Sequence, residues 1–444
     1  MRKTSSMLRY MSSKSAITRM QAIIIVVIVV VAAAGAAAYY FTMPQFGCPS
    51  GSRCIAIVSD TGGRGDLSFN DMAFKGGEAA QTDFGVKMLA LISRTEADYI
   101  PNLETAAKDP GVILIVGVGY LLTDAINATA RKYPDKNFAI IDGFVPGLPN
   151  LMSIGFEEHK SSAIIGAIAA LTAAAFGYHR IGVVLGIEIP VLWKFEIGYK
   201  WGADWALKWY QNKFGKSAPV IGDTPVKERV LYTYTGSFSD VTKGYEAAKP
   251  MFVRDAAHDA GVVYNVAGLT GLGINQAVQE IATASNLTMG PPFMLGVDSD
   301  QDWINPGFIL ASAMKRVDTG VHFATQLVTQ GTFRQVVAST GGVVTLGIGT
   351  TVNGVPVQGV SVSTLADLDE FIQMGVNAEK LTGKKVLTMP ADQIKSKVAA
   401  MRNNVPSWVW DAANELQNQI TQNPNLVPLA MTKDAVDQWR TTLG

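Results

Sequence analysis

The chain has 444 residues, 48% of them hydrophobic and 17% charged, which supplies a large packed core, excludes a disordered chain or a coiled coil, and points to two or three domains. Lys plus Arg and Asp plus Glu balance at 37 each, but Arg2, Lys3, Arg9, Lys14 and Arg19 precede residue 43 and leave 32 basic against 37 acidic residues beyond it. That acidic surplus, with no zinc-finger, RNP-like or Lys/Arg-run motif, argues against an extended nucleic-acid site.

In chain order, residues 1–21 form a basic segment. Residues 22–43 are uncharged and dominated by Ile, Val and Ala, long enough at 1.5 Å per residue to cross a bilayer. The positive-inside rule places the basic segment in the cytoplasm and the rest of the chain outside, as a single-pass cell-membrane protein with an extracellular main domain. A cleaved secretory signal is the competing reading, although the apolar run exceeds a usual signal core. Arg19-Met20-Gln21 ahead of the run also resembles the pilin-like signals of archaeal binding proteins, in which processing leaves the anchor in place. Cys48 and Cys54 are the only cysteines, and a small disulfide loop is plausible for them in an oxidising compartment. The four His are scattered without ligand spacing, so no metal is expected. Asn127 and Asn286 begin Asn-x-Thr triplets, candidate glycosylation acceptors on an exported chain.

Beyond the anchor, apolar runs that read as strands alternate with amphipathic stretches. Strands are expected at 54–59, 86–91, 112–116, 138–141 and 152–156, with helices at 68–84, 102–108 and 121–133 between them. A long Ala/Ile-rich helix at 157–177 carries the chain towards a second alternation: strands at 180–185, 229–235, 261–267 and 293–297, helices at 192–214, 239–253 and 271–284. The expected fold class is therefore α/β, two Rossmann-like lobes with parallel sheets preceded by one transmembrane helix. Lobe 1 is expected to take residues 44–160 and 290–315, and lobe 2 residues 161–289 and 316–350. Residues 351–444 form a C-terminal hairpin and helical extension, with Asn353-Gly354 as the hairpin signal, helices at 365–374 and 398–423, and Trp408 and Trp410 in the second of these.

Ligands of open parallel sheets bind beyond the carboxyl ends of the strands, so the segments after strands are the candidate sites. Asp60-Thr61-Gly62-Gly63-Arg64-Gly65-Asp66-Leu67-Ser68-Phe69-Asn70 follows a strand and opens a helix, with Ser68 placed as a cap. It lacks the Gly-Lys-Ser/Thr of a phosphate loop, and its carboxylates would repel phosphate. The others are Gly117 to Ala125, Ile189 to Glu196, Ala267 to Gly273, and Gly296-Val297-Asp298-Ser299-Asp300 with Ala313-Met314-Lys315 downstream. No cofactor motif is complete among them.

Taken with Lys132 to Asp142, Phe156-Glu157-Glu158-His159 and Trp193 to Tyr199, these strings resemble the basic membrane protein family of ABC-transporter substrate-binding proteins, which includes purine-nucleoside receptors. The resemblance runs from about residue 54 to residue 350. It implies a periplasmic-binding-protein type I fold that closes on a nucleoside, with ABC permease subunits as partners. It assigns Phe69, Asn70 and Phe195 to the base, Asp124 to the base edge, and Asp298, Lys315 and Gly268 to the ribose; Asp60 joins them as a ligand-binding candidate. Arg64-Gly65 and Trp193 depart from the family pattern. The same carboxylates and glycine loops leave open a membrane-tethered nucleoside-processing enzyme, or a surface receptor or structural protein for a different small ligand. No Gly-x-Ser-x-Gly elbow and no His-Glu-x-x-His is present, so the expectation is a binding protein and not an enzyme.

Overall fold

The computed structural model describes residues 47–383 and 385–443; the expected cytoplasmic segment and membrane anchor lie outside the described residues. Continuous apolar runs become strands that are buried on both faces in the sheet interiors and part-exposed at the edges β2 and β7, as parallel sheets covered by helices require. They are β1 Cys54–Val58, β2 Lys87–Leu91, β3 Val112–Val118, β4 Phe138–Ile141, β5 Leu151–Phe156, β6 Arg180–Leu185, β7 Val230–Tyr234, β8 Ala260–Val266, β9 Phe293–Asp298 and β10 Ile309–Lys315. Four short strands follow, β11 Val343–Leu346, β12 Thr351–Val352, β13 Val355–Pro356 and β14 Val360–Val362.

They form two six-stranded sheets, ordered β11-β5-β4-β3-β1-β2 and β14-β10-β9-β8-β6-β7, and the small β12-β13 hairpin. All pairs in the first sheet are parallel, and in the second only β14 runs antiparallel, against β10. The hairpin turns on Asn353 and Gly354, both at positive φ (48° and 81°), as a two-residue turn matched to strand twist requires.

The sheets correct the expected lobe boundaries. Residues 290–315 supply β9 and β10 to the second sheet, while residues 316–346 return to the first with the helices Val317–Thr329 and Phe333–Thr340 and strand β11. The chain thus crosses between lobes after β5, after β10, and between β11 and β14. Strand patterning is blind to which sheet a buried run joins; the crossover is set by the helix between, and Val317–Thr329 packs against the helix Phe69–Phe84. There Gly76 is needed, since a Cβ on it would lie 2.3 Å from the Asp318 carbonyl oxygen.

The helix Glu158–Phe176 is long and apolar enough to cross a membrane, but 89% of it is buried inside the protein, as a core helix. It packs along Pro190–Phe214 with backbones nearly touching: a Cβ on Gly166 would sit 2.1 Å from Tyr199 O, and one on Gly202 1.9 Å from Ala163 O. The extension does not form one helix over 398–423. Pro406 lacks an amide hydrogen and disfavours helix at the residue before it, so the segment divides into Ala391–Asn404 and Ser407–Gln422. Both dock on the second lobe, where Arg402 reaches buried Asp302 at 2.5 Å, the Trp209 indole donates to Glu415 at 2.7 Å, and the Trp408 ring lies 5.3 Å from that of Tyr210. Cys48 and Cys54 are joined in a disulfide at the start of β1.

Candidate functional site

A cleft lies between the carboxyl ends of the two sheets. The first lobe contributes Asp60 after β1, Phe69 and Asn70 at the start of Phe69–Phe84, Gly119 and Tyr120 after β3, and Asp142 after β4. The second contributes Val191, Leu192 and Phe195 after β6, Phe238 after β7, Gly268 after β8, Asp298 closing β9 and Lys315 closing β10.

The loop from Asp60 to Asn70 is held by its own carboxylates. Ser68 does not cap the helix with its side chain. Asp66 does so instead, accepting from the amides of Ser68, Asn70 and Asp71 at 3.0, 2.9 and 3.1 Å. Asp71 accepts from the Gly65 and Leu67 amides, both at 2.9 Å. Ser68 is thereby released to cross the cleft, donating to Asp298 Oδ2 at 2.8 Å and to the Val297 carbonyl at 3.2 Å. Ser299 Oγ and Gln301 Nε2 donate in return to the Leu67 carbonyl, at 2.7 and 3.1 Å. On the pocket side, Asn70 Nδ2 donates to Asp60 Oδ1 at 2.7 Å, which fixes the amide's orientation.

The electrostatics follow from burial. Burial pushes the Asp60 carboxyl above its ordinary value, with Asn70 and the Gly62 amide opposing. Burial pushes Asp298 up to about 6, opposed by Lys315 and Ser68. Asp142 is also raised by burial, with Lys315 opposing. Lys315, 2% exposed, answers these charges: it pairs with Asp142, meets Glu158 Oε1 at 2.9 Å, and is held well above the usual lysine value by them despite its burial. Its ammonium also lies 5.1 Å from the Phe69 ring centre and 5.7 Å from that of Phe195. Glu158 takes Lys194 on its other oxygen, so a buried chain of charges runs from Asp142 in the first lobe to Lys194 in the second.

Of the residues expected from sequence, Asp60, Phe69, Asn70, Phe195, Gly268, Asp298 and Lys315 line this cleft. Asp124 does not. Gly119, at φ 110°, turns the chain into a short 3-10 turn over Tyr120–Leu122, and the helix Thr123–Lys132 starts beyond it with Asp124 exposed to solvent. A first-lobe carboxylate that sequence reasoning did not name for the site, Asp142, at φ 66°, does face the cleft, alongside Asp60 and Asp66. Its position at the end of an apolar run was the available signal. Glu158 and Lys194 were also missed, and their pairing depends on the approach of two helices that no local pattern announces.

Such a site is a part-open cleft with a largely apolar lining, flanked by aromatic rings and set with a few buried polar groups, its one lysine already paired, which suits a neutral ligand with an apolar face and a few hydroxyls or amides. Comparison with known proteins agrees with a binding role. The Bmp family model, described as ABC transporter substrate-binding protein PnrA-like, matches residues 55–208 and 222–375. An uncharacterized lipoprotein of Pyrococcus horikoshii is 34% identical over 386 residues, 86% of each chain. The ABC transporter nucleoside-binding protein BmpA of Lactococcus lactis is 29% identical over 281 residues, 60% of this chain and 72% of its own. Among solved structures, an ABC transporter solute-binding protein from Aeropyrum pernix superposes with a TM-score of 0.72 at 29% identity, covering 87% of this chain and 96% of its own.

Proposed function

The chain belongs to the Bmp family of PnrA-like ABC-transporter substrate-binding proteins, and from that premise we propose that its two lobes close on a nucleoside, with a purine as the base. The observation that carries this reading is the composition of the cleft: one phenylalanine from each lobe, Phe69 and Phe195, with Asn70 at the helix start and Asp60, Asp142, Asp298 and Lys315 at strand ends around them. A phenylalanine face stacks on a base for roughly 1–3 kcal/mol. Asn70, whose amide hydrogens go to Asp60 at 2.7 Å and Asp66 at 3.1 Å, offers its oxygen as an acceptor to a base edge, and Asp142 takes the place first expected of Asp124. Asp298 accepts from ribose hydroxyls, Lys315 donates to them, and the Gly268 backbone, at φ 55°, turns close beside. An affinity near 1 μM needs about 8 kcal/mol, within reach of two stacked rings and three or four paired polar contacts.

The carboxylates also select against phosphate. Asp60, Asp66, Asp142 and Asp298 all line the cleft against one ammonium, Lys315, which is already engaged. A nucleotide would add negative charge to that surplus, so the ligand is the nucleoside and not its phosphate. Closure follows the type I binding-protein scheme, in which the three interlobe crossings act as hinges and the closed form presents both lobes to a permease. The name of the Pyrococcus relative as a lipoprotein supports an extracytoplasmic, membrane-held location, with the apolar segment 22–43 as this chain's own anchor.

The test is calorimetry on the full chain in mild detergent, unfolded and refolded to strip any bound ligand, titrated with guanosine, inosine, adenosine, uridine, ribose and guanosine 5′-monophosphate. A purine nucleoside binding at micromolar affinity or better, with ribose silent and the monophosphate at least tenfold weaker, is expected. Silence with every nucleoside, or preference for the phosphate, overturns the reading.

A further inference from the structure

Two Asn-x-Thr triplets stand in the sequence, at Asn127 and Asn286, and the cleft uses neither. Each has the residue types that an N-linked glycan needs: a carboxamide for attachment, a hydroxyl two positions on for recognition, and no proline between them. The fold places the two in opposite settings.

Asn127-Ala128-Thr129 lies inside the helix Thr123–Lys132. Thr129 is 2% exposed, and its hydroxyl donates to the Ala125 carbonyl at 2.8 Å. The Asn127 side-chain oxygen accepts from Arg131 Nε at 3.0 Å. Ala125, Ile126 and Ala130 of the same helix belong to the apolar core of the first lobe. A transferase that takes its acceptor as a surface loop reaches this triplet only by breaking that packing.

Asn286-Leu287-Thr288 lies between the helix Leu272–Ala284 and strand β9, in a stretch with neither helix nor strand. Residues 283–288 are all exposed. Among the described residues, nothing bonds the Asn286 carboxamide or the Thr288 hydroxyl. Backbone geometry explains only half of this motif. Asn286 takes φ 53°, the left-handed turn that ends a helix, with its amide on the Thr283 carbonyl at 3.2 Å and the Leu287 amide on the Ala282 carbonyl at 2.8 Å. Asn suits that position best after Gly. The turn asks nothing of the carboxamide and nothing of Thr288. Its two bonds close the end of a helix, where opening costs least.

The turn is also clear of the cleft. The helix Leu272–Ala284 starts at the carboxyl end of β8, and the chain re-enters the sheet at the amino end of β9. Thirteen helical residues therefore separate the turn from the cleft, about 20 Å along the axis.

We infer that Asn286 is the acceptor of an N-linked glycan, added to the folded chain, and that Asn127 is left bare. The inference rests on the extracytoplasmic location proposed above, which the Cys48–Cys54 disulfide also fits. The co-substrate is an oligosaccharide carried on a lipid phosphate or pyrophosphate. Nδ2 of Asn286 bonds to the anomeric carbon as that carbon's bond to the phosphate oxygen breaks. The lipid phosphate leaves with the electron pair, and a carboxylate of the transferase takes the amide proton.

The test is peptide mass spectrometry on the full chain, extracted in mild detergent from the cells that make it. The peptide spanning Asn286 should carry sugar mass in most molecules, and the peptide spanning Asn127 none. Asn286→Gln and Thr288→Ala should each remove the sugar, whereas Thr288→Ser should retain it. Thr288→Ala leaves Asn286 and its turn in place, so this variant separates recognition of the triplet from the backbone role. In parallel, a membrane-impermeant amine reagent on intact cells reports whether the chain lies outside. A bare Asn286 on a chain that this reagent labels overturns the proposal, as does sugar on Asn127, or sugar on Asn286 that survives Thr288→Ala. A chain shielded from the reagent overturns the extracytoplasmic reading, and this inference with it.

Discussion

Replacing Asp298 with Asn should weaken ligand binding and stabilise the protein, two effects of opposite sign from one atom. Asp298 sits at φ 63°, a backbone region that Asn tolerates well, so the exchange costs little in conformation. Asn keeps an oxygen for Ser68 Oγ, which donates to Oδ2 at 2.8 Å, but loses the charge offered to ribose hydroxyls. A hydrogen bond to a charged group contributes about 1.5–3 kcal/mol, which corresponds to a loss of roughly 10- to 150-fold in affinity. Stability moves the other way. Burial raises this carboxyl from 3.8 to about 6, so its ionisation at neutral pH opposes folding by roughly 3 kcal/mol. Between these two values the folded state holds more protons than the unfolded one, so stability falls as pH rises through that window and then levels off. Asp298→Asn escapes this penalty, and its melting temperature at pH 7.5 should exceed that of the unchanged protein by about 2–4 °C. The gap should close below pH 4. Calorimetric titration with inosine and thermal melts from pH 3.5 to 8 measure both effects. An unchanged affinity, or a melting temperature that falls at pH 7.5, would refute the reasoning.

Removing the ammonium of Lys315 by Lys315→Met leaves Asp142 and Glu158 buried without it, and urea unfolding at pH 7.5 should show a loss of about 3–5 kcal/mol; a loss below 1 kcal/mol would contradict the charge chain. Phe195→Ala removes the second lobe's aromatic face and should weaken purine nucleosides by about 5- to 150-fold in the same calorimetry, more than it weakens a pyrimidine nucleoside. Asp124→Ala should leave nucleoside affinity within twofold, because Asp124 stands in solvent on the helix Thr123–Lys132; a tenfold loss would return it to the site. Arg440 donates to both oxygens of buried Glu196 at 2.9 and 2.7 Å, so Arg440→Ala should free the C-terminal helix Lys433–Leu443, seen as faster trypsin cleavage after Lys433, while inosine affinity stays within threefold.

Most of the site was legible because its residues sit at the ends of apolar runs. Asp60, Gly268, Asp298 and Lys315 each follow or close a strand, and the rule that parallel sheets bind ligands at carboxyl ends singles out such positions without knowledge of the neighbours. Asp142 satisfies the same rule, whereas Asp124 was favoured for lying beyond a glycine turn whose geometry places it outside. The limits have one physical origin, namely that the missing information is non-local. Strands β9 and β10 read as buried runs in either lobe, and only the packing of Val317–Thr329 on Phe69–Phe84 decides where the chain crosses. The segment from Gly341 to Val362 reads as a single hairpin around Asn353-Gly354, yet it is divided among the first sheet, a two-residue hairpin and the antiparallel edge of the second. Ser68 has the local chemistry of a cap, but the nearby Asp66 accepts the helix amides more strongly, and the hydroxyl is put to use across the cleft.

The most direct test of the central claim, that one ligand is gripped by both lobes at their strand ends, is amide hydrogen exchange of the full chain with and without saturating inosine. Peptides over 60–70 and 119–122 in the first lobe and over 189–196 and 266–271 in the second should all gain protection together. Protection confined to one lobe, or appearing only away from these loops, would contradict the account.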